Sequence, residues 1–91
     1  MVTVHRGGGF RVVIYSNDHE PAHVHVIRDG EVVINLLGTD DQPEVRQAYG
    51  ATNADIRKSL RIVAEQRAML LAKWQEIHDG TLQMLLQILR V

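Results

Sequence analysis

Three of the five histidines fall within seven residues, in the run Asp18-His19-Glu20-Pro21-Ala22-His23-Val24-His25. Imidazole is the commonest metal-binding side chain and the one that changes charge nearest neutral pH, so this cluster is the chain's first candidate for chemistry. His23 to Ile27 alternates with period two. As a strand it places His23 and His25 on one face, about 6.6 Å apart along the chain. Two rings so placed can converge on one ion, with His19 folding back from the turn as a third ligand. Asp18 or Glu20 is then a further ligand or the candidate catalytic base. Three nitrogen or carboxylate ligands with an open position suit zinc or a related ion, whose bound water becomes a nucleophile. The mixed donor set excludes few metals, so Zn, Mn, Ni and Fe all fit. The plainer explanation is that Val24 and Val26 face inward and the histidines are ordinary surface side chains or members of a hydrogen-bond network. A surface pair of histidines can also be a partner-binding patch or a proton-sensitive contact.

The elements that must hold this run are legible around it. Gly7-Gly8-Gly9 punctuates the start, and Phe10 to Tyr15 is rich in β-branched residues, as a strand should be. Ser16-Asn17-Asp18 is turn chemistry, and Glu20-Pro21 prolongs the irregular stretch. Asp29-Gly30, between His23–Ile27 and Glu31–Leu37, predicts a hairpin turn of the positive-φ kind. Gly38 to Pro43 is a polar loop, and Val45 to Tyr49 is a short fourth strand or a covering segment.

The second half reads as helix. Thr52 or Asn53 caps it, Asp55 suits the positive end of the helix dipole, and Ile56, Leu60, Val63, Leu70, Trp74 and Ile77 form an apolar stripe. Arg67 fills the one gap in that stripe, with its stem free to reach solvent or its head to pair with a buried carboxylate. The spacing predicts one long helix to about His78, closed by Asp79-Gly80. Residues 81–91 predict a short apolar helix that packs on the domain or on another chain.

With 91 residues, 45% of them hydrophobic and 23% charged, the composition is that of one globular domain. The net charge of −1 gives no global field for nucleic acid or anionic membrane. Having no cysteine excludes thiolate nucleophiles and thiolate zinc sites, and with no apolar leader it points to the cytoplasm. No apolar run is long enough to span a bilayer.

Other groups have ordinary explanations. His78 suits a helix carboxy terminus, Trp74 suits a core or interface, and Asp40, Asp41 and Glu44 suit an exposed acidic loop. Arg57, Lys58 and Arg61 make a basic stripe that could touch nucleic acid, although Glu65 is placed to pair with Arg61. Gly7-Gly8-Gly9 lacks the spacing and the lysine of a phosphate loop.

The stretch Phe10 to Leu37, with Tyr15-Ser16-Asn17-Asp18-His19-Glu20-Pro21-Ala22-His23-Val24-His25-Val26 at its centre, resembles a widespread family of small bacterial proteins known only as a domain of unknown function, DUF4160. That family carries an Asn-Asp/Glu-His turn followed by Pro-Pro-His-x-His-Val, and a Leu-Leu-x-x-Trp helix end with glycine soon after. Leu70-Leu71-Ala72-Lys73-Trp74 and Gly80 match the second pattern. The resemblance spans about residues 3–80. Ala22 replaces the family's second proline, and residues 81–91 do not align. The resemblance implies a bacterial source and one shared reason for the histidine segment. It also implies one half of a two-gene unit, hence a toxin–antitoxin-like or partner-binding role.

The expectation is therefore a single α+β domain over residues 1–91. A small antiparallel sheet of three to four strands packs on a long amphipathic helix, followed by an apolar carboxy-terminal helix. The first functional expectation is an interaction module that binds a protein partner or a second copy of itself through 81–91. The alternative is a metal-dependent hydrolase or nuclease using His19, His23 and His25.

Overall fold

A computed structural model describes residues 1–78. The architecture is α+β: strands β1 (Val2–Gly7), β2 (Phe10–Ile14), β3 (His23–Ile27), β4 (Glu31–Asn35) and β5 (Glu44–Tyr49), then helices α1 (Asn53–Glu65) and α2 (Arg67–His78). The strands form one antiparallel sheet in sequence order. The expected apolar helix over 81–91, the Asp79-Gly80 cap and the partner role given to that segment lie outside the described residues.

The sheet has five strands rather than three or four. The glycine triplet does not precede the domain but turns within it. Gly8 and Gly9 have φ of 57° and 82°, and Gly7 pairs with Phe10, so a two-residue turn joins β1 to β2. Such turns need positive φ at both central positions because only that twist matches the flanking strands. The strand over 44–49 also forms and makes the far edge of the sheet.

Asp29-Gly30 lies in a hairpin, as predicted, but without positive φ. A three-residue turn joins Ile27 to Glu31, and the Arg28 amide donates to the Gly30 carbonyl at 3.1 Å. Glycine is required there for a different reason. A Cβ at Gly30 would overlap the Gly50 carbonyl carbon and the Tyr49 oxygen, both main chain. Gly30→Ala is therefore expected to cost about 1–3 kcal/mol, the range for forced overpacking, read as a lower urea midpoint at unchanged slope. A midpoint equal to wild type would show that the β4–β5 end yields freely.

Alternation decides which side chains enter the core. Phe10, Val12 and Ile14 of β2, Val24 and Val26 of β3, and Val32 and Ile34 of β4 face the helices and meet Val63, Leu70 and Trp74. Thr52 caps α1 by accepting from the Asp55 amide at 3.1 Å. Asp55 in turn holds Arg28 at 3.5 Å, and Arg28 lies over the Phe10 ring at 5.3 Å, which ties the helix start to the sheet.

The predicted single helix is broken at Gln66 (φ −104°, ψ 11°). The gap at Arg67 marks the break. A continuous helix would leave a cation in the apolar stripe between Val63 and Leu70. Interrupting it lets Leu70 and Trp74 enter the core while Arg67 donates to the Asp41 carbonyl, a main-chain acceptor rather than a carboxylate. Asp41 belongs to the 39–41 turn, closed by Glu44, which accepts from the Thr39 amide and hydroxyl. Those two donors hold the Glu44 carboxyl below its ordinary value. No helix among the described residues is long and apolar enough to cross a membrane.

Candidate metal centre

The histidine strand forms, and its surroundings decide what it can do. Val24 and Val26 are buried against the helices, so His25 stands on the opposite face of the sheet. In that face's cross-strand row it lies between Val13 and Val33, both buried. The His25 side chain is only 14% exposed and that of His23 only 5%, so neither is the solvent-facing histidine of the plain explanation.

The loop from Tyr15 to Ala22 closes over them. The Asp18 amide donates to the Tyr15 carbonyl at 3.1 Å, a tight turn that swings the Asp18 side chain back toward β3. Its Oδ2 lies 3.0 Å from Nε2 of His25 and 3.2 Å from Nε2 of His23. The Tyr15 ring meets His25 edge-on, with centroids 4.6 Å apart. Asp18, His23 and His25 each offer one ligand atom, all within 4.8 Å of one another.

The far side of each ring is also specified. Nδ1 of His23 lies 2.9 Å from the Pro21 carbonyl oxygen. A carbonyl only accepts, so that nitrogen carries the proton and donates, leaving the Nε2 lone pair of the neutral ring aimed at Asp18. Nδ1 of His25 is buried, makes no hydrogen bond among the described residues, and sits 3.4 Å from Glu31 Oε1. The Pro21 carbonyl is shared with Arg46, whose Nη2 donates to it at 3.3 Å while Nε donates to Asn35 Oδ1 at 2.9 Å. That arginine fastens the loop to β5.

A second aromatic layer comes from α2. The Trp74 ring lies 5.1 Å from His23, and its Nε1 is 3.4 Å from Glu20 Oε1. His78 stacks on Trp74 at 3.7 Å and donates from Nδ1 to the Trp74 carbonyl at 2.8 Å. It therefore satisfies a last-turn carbonyl of its own helix, as its position in the sequence suggests.

The sequence-derived site residues thus divide. Asp18, His23 and His25 come together; His19 and Glu20 are exposed and outside that group. The third position in the cluster, given to His19 from sequence, is occupied by Asp18. Glu31, Tyr15, Trp74 and Arg46 were not foreseen as neighbours of the site. Glu31 had a readable signal: with His25 opposite Val33 and Ile27 opposite Glu31, it is the diagonal cross-strand neighbour of His25.

Compared with known proteins, residues 9–75 match the family described as a domain of unknown function, DUF4160. Neither the curated proteins nor the solved structures contain a match to this chain.

Proposed function

The chain belongs to the DUF4160 family, and on that footing we propose that it binds one divalent transition metal ion through Asp18 Oδ2, His23 Nε2 and His25 Nε2. The observation that carries this is how the protons must sit. With both rings neutral, the His23 Nε2 lone pair faces the Asp18 carboxylate at 3.2 Å, and His25, with a carboxylate beside each nitrogen, turns one lone pair toward an anion. A cation among the three ligand atoms resolves both conflicts together. Each Nε2 would give its lone pair to the metal, while His23 Nδ1–H donates to Pro21 O and His25 Nδ1 lies 3.4 Å from Glu31 Oε1, a carboxylate placed beside the ligand ring. The two separations from Asp18 Oδ2, 3.0 and 3.2 Å, also fit, since ligands about 2.0–2.2 Å from a tetrahedral or octahedral ion stand roughly 2.8–3.6 Å apart.

Two imidazoles and one carboxylate leave coordination positions open, the pattern of catalytic rather than structural sites, and suit zinc, manganese, nickel or iron. When bound, such an ion supplies a Lewis acid and a water activated for attack, so hydrolysis is the reaction class this reading assigns. The residues of the chain hold and orient: the Pro21 carbonyl fixes the His23 tautomer, Glu31 stands beside His25 Nδ1, and the Tyr15 and Trp74 rings pack against the two imidazoles. The partner-binding role expected first from sequence rests on the apolar segment 81–91, which lies outside the described residues, on the lack of a complete catalytic set and on the two-gene analogy.

Metal content of the untagged protein, measured by elemental analysis after loading and gel filtration, tests the proposal. One ion per chain is expected. Less than a tenth of that for all four metals would leave the histidines as a metal-free charge network. Glu31→Gln is expected to weaken affinity about 10–100-fold without changing stoichiometry, the usual effect of removing an outer carboxylate, checked by competition with a chelator. Unchanged affinity would show that Glu31 does not orient His25.

A further inference from the structure

A cavity of about 330 Å³ lies between the β1–β2 turn and α1, lined by Gly7, Gly8, Phe10, Lys58, Arg61 and Ile62. The sequence shows a glycine triplet without the lysine of a phosphate loop, and a basic stripe some fifty residues later. The fold brings the two together.

Lys58 and Arg61 supply the cavity's charge. Neither has a carboxylate within ion-pair distance among the described residues. The expected Arg61–Glu65 pair does not form. A cation placed four residues before an acid is the weaker orientation on a helix, because it opposes the dipole. Asp55, the other acid near this end of α1, is held by Arg28. Two cations three residues apart on one helix face therefore look into the cavity with their charge unanswered.

The opposite wall is a main-chain turn. Gly8 has positive φ and Gly7 and Gly8 have no side chains; the nearest side-chain atoms are His5 Nε2, 3.4 Å from where a Gly7 Cβ would stand, and the Phe10 ring. Phe10 and Ile62 give an apolar floor. A small cavity with an apolar floor and convergent donors suits a small ligand, and this volume is at the lower end of such sites. Two cations unpaired among the described residues, on one exposed helix face opposite a glycine turn, suit a phosphoryl group. A nucleic-acid strand would need a longer basic track than a chain of net charge −1 offers.

We infer that this cavity binds the phosphoryl group of a small phosphomonoester through Lys58 and Arg61. The site is separate from the metal centre. It lies at the Phe10 end of β2, on the helix side of the sheet. Val13, opposite His25, is three residues further along, about 10 Å of strand. The inference holds whether or not the chain binds metal.

The test is NMR titration of the ¹⁵N-labelled full chain, metal-stripped and zinc-loaded, with inorganic phosphate and with adenosine 5′-monophosphate. Saturable shifts are expected at Gly7, Gly8, Lys58 and Arg61 in both forms. Lys58→Ala with Arg61→Ala is expected to weaken binding at least tenfold, and the charge-keeping pair Lys58→Arg with Arg61→Lys to preserve it. Both positions are exposed, so the variants should fold, and matching melting temperatures check this. No saturable shift at tens of millimolar, or equal affinity in the alanine pair, would overturn the inference. So would a single-stranded oligonucleotide binding more tightly than the monophosphate with steep salt dependence, which would assign the cations to a strand instead.

Discussion

His25→Ala is expected to lower metal affinity by more than about 100-fold, beyond the 10–100-fold typical of outer-residue changes, because it removes a ligand itself. The effect should be larger than that of Glu31→Gln and comparable to Asp18→Asn, which keeps the shape of the side chain and removes its charge. Melting with and without metal separates this from damage to the fold. An ion that binds only the folded chain stabilises it by about 2.7 kcal/mol at a hundred times its dissociation constant. The wild type should therefore melt higher with zinc, and His25→Ala should melt at one temperature with or without it. Some loss in the metal-free state is also expected, since His25 fills a place between buried Val13 and Val33. A variant that retains the zinc-induced rise would remove His25 from the ligand set and with it the proposed centre.

Trp74→Ala is expected to be the most destabilising single change, at about 3–5 kcal/mol, the range for emptying a large buried aromatic site. Against a typical total of about 5–15 kcal/mol, that would leave the domain marginal at 37 °C. Trp74 is 2% exposed, packs with β2–β4 and Leu70, and touches two histidine rings. Its loss should thus reach the site. Trp74→Phe, which keeps most of the volume but not the indole nitrogen near Glu20, should cost less in a urea midpoint and still weaken metal binding by loosening His23. If Trp74→Ala unfolds within about 1 kcal/mol of wild type, the α2 contact is peripheral rather than core.

Much of this could be read from residue order because it depends on short-range patterns. β2, β3 and β4 announce themselves by alternation and β-branching, and the period of two already places His23 and His25 on one face. The same run offers Asp18 as a base or a further ligand. What could not be read depends on long-range geometry. β1 was hidden because three glycines look the same as a boundary or as a tight turn until their φ values are known. The helix break was hidden because period counting tolerates one polar gap, and only the Asp41 carbonyl shows where Arg67 goes. The choice of Asp18 over His19 rests on the Tyr15–Asp18 turn, which reverses the direction of a side chain within one residue. The meeting of Lys58 with Gly8 has no local signal.

The ligands and most of their supports come from one continuous stretch, Tyr15 to Glu31; Arg46 and Trp74 are added from afar. That has a kinetic consequence. The entropy lost on closing a loop grows with the logarithm of its length, so contacts within this stretch are among the fastest long-lived ones the chain can make. The Glu20–Trp74 contact closes 54 residues and belongs to a later event. The expected order of assembly is hairpin and ligand cluster first, helical cover second. An ion could then meet its ligands while the chain is still folding, and act as a nucleus for the domain rather than a late addition to it.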